Sequence, residues 1–170
     1  KEETPESPGI TVEEKNMSLV NKFTGSKCPP CGGWGWTMFE ELITYGGNNA
    51  CNLGTYSQNY VAQNYITKAA TQMDSLFGAY KNSSGWPTFA VNGASKLDRP
   101  GGLVNTGSEK QKCKDAIDAH KNAPCMVNSG YEVSYDASKT NVTIKTRAKF
   151  FKDMSGEYYL AAYMVEDKVI

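Results

Sequence analysis

The sequence predicts an α/β domain, a mixed central sheet flanked by helices, followed by an incomplete antiparallel β module. Three observations carry this reading. Between residues 17 and 123, short apolar strands alternate with helical stripes. A Cys-x-x-Cys cluster, Cys28-Pro29-Pro30-Cys31, stands where the first strand gives way to the first helix. After Pro124 the apolar period changes to two and stays there, the mark of a half-buried sheet.

Residues 1–16 hold five glutamates, two prolines and almost nothing apolar, and read as an acidic, solvated linker or a loosely docked N-terminus. Met17, Leu19, Val20 and Phe23 then form a short buried strand that breaks at Thr24-Gly25-Ser26. Pro29 and Pro30 suit the first turn of the next helix, where a missing N–H is tolerated and φ is already set. Met38, Phe39, Leu42 and Ile43 recur at helical spacing, and Gly46-Gly47 closes that helix. Residues 50–56 read as a short strand. Ala69, Met73, Leu76, Phe77 and Tyr80 make one apolar stripe on a helix over about 63–81, ended by residues 82–85. Trp86-Pro87 leads into the strand Thr88-Phe89-Ala90-Val91, which turns at Asn92-Gly93. Beyond a loop at Arg99-Pro100-Gly101-Gly102, Ser108 caps a helix to about Lys121, with Cys113, Ile117 and the packing histidine His120 on one face.

The second module starts with a strand through Val127, Tyr131, Val133 and Tyr135. Val142, Ile144, Thr146, Ala148 and Phe150 follow on one face, opposite Lys145, Arg147 and Lys149, whose charges read as a solvated surface. Tyr158 to Val165 is apolar on both faces and reads as a third strand that needs cover the chain does not supply before Ile170. The expected divisions are a linker over 1–16, a domain over 17–123 and a partial β-sheet domain over 124–170.

Among the 170 residues, Lys and Arg total 18 and so do Asp and Glu, a balance without the electrostatic footprint of a nucleic-acid or polybasic membrane-surface binder. No apolar run approaches a membrane span. Five cysteines accompany a single histidine, there is no second Cys-x-x-Cys, and Cys31 precedes Gly32 rather than the histidine of a haem-attachment motif. No metal and no cofactor is therefore assigned.

The chemistry lies in the cysteines. At a helix N-terminus the Cys28 sulfur meets unpaired N–H groups and the positive dipole end, both of which favour the thiolate, and Lys27 adds positive charge. Cys28 reads as the attacking sulfur and Cys31 as the resolving one, with a structural disulfide as the plainer alternative. For the other three cysteines, Cys113 with Cys125 is the favoured structural pair, closing a loop for roughly 3 kcal/mol. Cys51 is then a small buried thiol, and Cys51 with Cys113 is the competing pairing. Either disulfide implies an oxidising compartment. Trp34, Trp36 and Trp86 read as an apolar rim around the pair or as ordinary packing.

The order of strand, CxxC helix, strand, helix, Trp-Pro strand hairpin and helix resembles the thioredoxin superfamily over residues 17–122. The resemblance implies a thioredoxin-like fold, a cis peptide at Trp86-Pro87, and a substrate groove formed by Pro87, Trp86, Lys27 and Trp34. It implies a thiol-disulfide oxidoreductase acting on a disulfide-containing or thiol-containing protein, and Pro30 resembles the reducing members. Two departures stand out. Lys22 occupies the place of the family's buried acid, six residues before Cys28, and Lys27 replaces a tryptophan; Gly32, Gly33 and Gly35 also weaken the helix start.

Residues Val20 to Cys28 and the stretch Tyr163-Met164-Val165-Glu166-Asp167 resemble the twenty-eight-kilodalton outer-membrane lipoprotein family of Bacteroidetes. That resemblance implies a β-sandwich-like second domain and an extracytoplasmic location, periplasmic, outer-membrane-associated or at the cell surface. The membrane tie would be a lipid anchor outside this chain. The alternative function is a cell-surface binding or scaffold lipoprotein in which the CxxC is a staple.

Overall fold

Strand β1, Ser18–Thr24, is buried along nearly its whole length, its polar residues included, as a strand paired on both edges and covered on both faces is. The computed structural model describes residues 9–56, 65–77, 86–95 and 106–166. It divides into two compact units, Met17–Ala123 and Lys1–Asn16 with Pro124–Ile170.

In the first unit β1 runs parallel to β2, Ala50–Tyr56, in register from Ser18 opposite Ala50 to Thr24 opposite Tyr56. On its other edge it pairs antiparallel with β3, Thr88–Val91, with Val20 opposite Val91. A parallel pair needs a crossover. Helices α1 (Pro29–Gly32) and α2 (Trp34–Gly46) and a 3-10 turn at Gly47–Asn49 provide it. Asn92 and Gly93, at φ 52 and 78, form the hairpin turn to β4, Ala94–Ser95, and the sheet order is β2-β1-β3-β4. The result is a mixed sheet with helices.

The main core lies between this sheet and two helices. Met38, Phe39 and Leu42 of α2 meet Val20, Phe89 and Val91 of the sheet, with Cys113 and Ile117 of α4, Thr106–Asn122. Leu42 and Phe89 are fully buried, each contributing roughly 2–3 kcal/mol. Ile43, expected on this face, is exposed, and the buried stripe of α2 continues through Gly46 instead. Helix α4 starts at Thr106, so Ser108 lies inside it and does not cap it.

Helix α3, Lys68–Phe77, falls within the anticipated helix, but its apolar count misjudged the buried side. Ala70, Met73 and Asp74 face inward, whereas Ala69 is exposed and Leu76 is 72% exposed. The Met73 sulfur accepts a hydrogen bond from Asn21 of β1 at 3.9 Å, which sets the helix one position away from the expected stripe. Tyr80, the helix end at residues 82–85 and the loop at 99–102 lie outside the described residues.

The second unit is a hairpin of β5, Val127–Tyr135, and β6, Val142–Phe150, with Val127 opposite Phe150 and Tyr135 opposite Val142. Asp136 fastens the turn by accepting hydrogen bonds from the backbone and side chains of Thr140 and Asn141. Those donors hold its carboxyl well below the usual range.

The cover of this hairpin differs from the expectation, although Lys145 and Lys149 are exposed as expected. The apolar face, including Tyr131, Val133, Ile144 and Phe150, is exposed. The face bearing Arg147 is the covered one: its guanidinium donates to the Ile10 carbonyl at 3.2 Å, and Asn128 donates to the Glu13 carbonyl at 2.9 Å. Ile10 is buried, so the described part of the N-terminal segment is docked rather than solvated. Gly130, paired with Arg147, permits the approach: a Cβ there would lie 2.5 Å from the Thr11 carbonyl oxygen.

Tyr158–Val165 forms no strand. A segment apolar on both faces needs two covers, and the described residues of this unit offer neither; Tyr159 is 87% exposed. Its ordered contacts are local, with the Tyr158 ring edge-on to Phe150 at 5.2 Å and the Tyr158 hydroxyl donating to the Ser155 carbonyl.

Gly130→Ala should expel the segment Gly9–Glu13 from the hairpin at a cost of about 1–3 kcal/mol. Hydrogen exchange at residues 10–13 checks this, with faster exchange the expected result.

Candidate redox site

The end of β1 fixes the site. After Thr24 the chain turns through Gly25, whose carbonyl accepts the Cys28 N–H at 3.3 Å. Cys28 and Cys31 are joined as a disulfide with Cα atoms 5.3 Å apart. Both cysteines are buried, Cys31 at 2% and Cys28 at 9% of the whole residue exposed. Behind the pair lie Phe23, Met73, Trp86 and Ala90, and the Trp86 ring meets Phe23 edge-on at 6.2 Å.

The Trp86–Pro87 peptide is cis, and Pro87 is fully buried. Its ring lies against Gly35, where a Cβ would overlap Pro87 Cγ and stand 3.2 Å from the Pro30 carbonyl oxygen. Gly35 is thus required by close approach, and the helix-weakening glycine of the sequence is the residue that lets Pro87 reach the CPPC turn.

The helix that follows Cys28 is not continuous. Gly33, at φ −84 and ψ −114, separates the single turn α1 from α2. Pro29 and Pro30 have no N–H, and the Cys31 and Gly32 N–H groups both bond to the Cys28 carbonyl, at 3.0 and 3.4 Å. A one-turn helix with its donors spent has little dipole to offer a thiolate, so the backbone stabilisation expected of Cys28 is weak.

A side chain stands closer than the sequence reading allowed. Lys22, 3% exposed on β1, donates from Nζ to the Cys31 carbonyl at 3.1 Å. The same nitrogen lies 5.1 Å from the Trp36 ring centre and 5.5 Å from that of Phe39. Burial pulls its pKa down from 10.5 to about 8, and the nearby Glu40 charge opposes the fall. On the opposite face of β1, Thr55 donates to Asn21 at 2.7 Å. The available signal was Asn21-Lys22, two polar residues inside an otherwise buried strand.

The remaining expected site residues divide. Cys28, Cys31 and Trp86 share one cluster, and Pro87 reaches it through Gly35. Lys27 is exposed beside Cys28. Trp34 packs against the core, 6.4 Å from Phe89, and it is Trp36 that is half exposed near Lys22.

Of the expected pair Cys113 and Cys125, both of them thiols here, Cys113 is turned into the core of the first unit as a small apolar residue, and in the second unit the Cys125 thiol points to the Val127 carbonyl at 3.9 Å. Cys51 is likewise a thiol, but an exposed one, because β2 is an edge strand and its outward position there is uncovered. His120 Nδ1 lies 3.2 Å from the Ser18 hydroxyl. Among the described residues no group of three or more His, Cys, Asp or Glu is placed to hold a metal, and no helix is long and apolar enough to cross a membrane.

No protein-family model matches the chain, and no curated protein matches it either. The arrangement itself is a disulfide between two buried cysteines, with a buried ammonium on the carbonyl of the second.

Gly35→Ala should cost about 1–3 kcal/mol in urea unfolding by forcing Pro87 away. Gly32→Ala, whose Cβ meets nothing within 4 Å, is the control and should not destabilise. Lys22→Met should stabilise the oxidised protein by roughly 1–2 kcal/mol near neutral pH. Because the folded amine releases its proton near 8 rather than 10.5, the unfolded wild type binds more protons between those values and wild-type stability rises with pH. The advantage of the variant should therefore shrink across that window, as urea titrations at stepped pH will read.

Proposed function

We propose that the chain is a thiol-disulfide oxidoreductase of thioredoxin-like type, working through Cys28 and Cys31. The observation that carries the reading is the Cys28–Cys31 disulfide at the end of β1, packed with Trp86 and with Pro87 brought to the CPPC turn through Gly35. In the reduced protein the Cys28 thiolate attacks a disulfide of a partner protein, bonding to one sulfur while the partner's S–S bond breaks and its other sulfur leaves and takes up a proton, which gives a mixed disulfide. The Cys31 sulfur then bonds to Cys28, and the partner sulfur held there departs as a thiol. Two electrons pass from the dithiol to the partner, and a thiol donor resets the pair. Pro30 supports the reducing direction by resemblance.

The fold supports the reading at its coarse level, since the Cys-x-x-Cys turn follows the central strand of a mixed sheet and precedes a helix. The likeness to the twenty-eight-kilodalton outer-membrane lipoprotein family extends the proposal to an extracytoplasmic setting, periplasmic or at the cell surface, with disulfide-bearing proteins as partners.

The test uses a Cys51→Ser background, which removes the exposed thiol. Cys31→Ser in that background should trap a mixed disulfide at Cys28 with a model disulfide-bonded peptide, and the wild-type pair should equilibrate with glutathione at a potential above about −300 mV. A potential below about −300 mV, with a Cys28 thiol that alkylates like an ordinary cysteine of pKa about 8.5, would assign the pair to the role of a structural staple instead.

A further inference from the structure

The buried lysine is held by neutral groups, the Cys31 carbonyl and the Trp36 and Phe39 rings, with the exposed Glu40 acting on it through its charge. An ammonium held away from water loses hydration, and the acceptor it receives in return is a neutral carbonyl, that of Cys31. Opening the disulfide changes this balance. It places a second ionisable sulfur, itself 2% exposed, on the residue that the ammonium already holds. A buried thiol resists ionisation unless a positive charge lies close. The single-turn helix supplies little, since its N–H groups are engaged by the Cys28 and Pro29 carbonyls and Lys27 is exposed.

We infer that Lys22 is a positioning residue for the resolving step, forming an ammonium–thiolate pair with Cys31 in the reduced protein and in the mixed disulfide. The inference rests on the oxidoreductase reading above and names the charge that makes its second step feasible. In the mixed disulfide Cys28 is bonded to the partner sulfur and Cys31 is a thiol. Cys31 loses its proton and its sulfur bonds to Cys28. The bond from Cys28 to the partner breaks, and the departing sulfur keeps that electron pair and takes up a proton. Lys22 lowers the energy of the Cys31 thiolate through which this passes and does not itself gain or lose a proton. The lowered pKa of the amine in the oxidised protein fits an ammonium that lacks its anion until the disulfide opens.

The charged group that acts on Lys22 is Glu40 of α2, and α4, which packs on the same core, buries Glu109 and the Cys113 thiol. All three stay in place in every variant, so the comparison isolates one charge.

The experiment is a pH titration of the reduced full chain labelled at cysteine Cβ with carbon-13, which resolves each thiol by NMR. Wild type, Lys22→Met, Lys22→Gln and Lys22→Arg are compared. Cys31 should titrate at or below about 8.5 in wild type and Lys22→Arg, and at least about one unit higher in Lys22→Met and Lys22→Gln. At pH 7 the resolution of a Cys28 mixed disulfide should slow about tenfold in the two neutral variants, with the gap closing near pH 10. Glutamine retains a donor for the Cys31 carbonyl without the charge. If Lys22→Gln titrates like wild type, or if Lys22→Met leaves the Cys31 titration unmoved, the pair does not exist. The titration is read at equilibrium without a substrate, so it stands or falls separately from exchange activity.

Discussion

Strand β1 is hydrogen-bonded on one edge to β2 and on the other to β3, so its backbone has no alternative partner and its exit point is fixed. Cys28 follows that exit by four residues, and the sulfur pair inherits the rigidity of the sheet interior. The alternation of the strand then sorts its side chains. Val20 enters the core shared with α2 and α4, Phe23 lies behind the disulfide, and Lys22 is carried toward α2 beneath the Cys31 carbonyl. A one-residue slip of this strand would exchange all three assignments.

The parts of the fold with a strong local cause were legible in the sequence. Proline pairs, glycine stops and the Asn92-Gly93 turn act within a few residues, and strands β1, β3, β5 and β6 follow from runs of apolar or alternating residues. The mixed α/β sheet and the separate antiparallel hairpin were both readable at that level. The site was legible to the extent that it is local, namely the CPPC turn and the Trp-Pro step.

What was not legible depends on chain segments distant in sequence. The buried side of α3 is set by Asn21 and the Met73 sulfur, 52 positions apart, and an apolar count along the helix sees neither. The covered face of the hairpin is chosen by Arg147 reaching Ile10, which no alternation in β6 reveals. The packing of Cys113 in the core was not readable either, because a buried thiol and a bonded sulfur occupy the same kind of position on a helix. Lys22 is legible in the sequence only as a lysine inside a strand that should be buried. Only its placement over Trp36 and Phe39 gives it a surrounding in which its charge matters.

The interruption at Gly33 has a consequence for inheritance. Where a long helix abuts a cysteine pair, the field on the sulfur belongs to the backbone and no single codon can remove it. Here α1 is one turn with its amides engaged, and α2 starts beyond the break. The electrical environment of the pair is left to side chains, and side chains change one nucleotide at a time. Descendants of such a chain can retune the sulfur chemistry without rebuilding the scaffold that carries it.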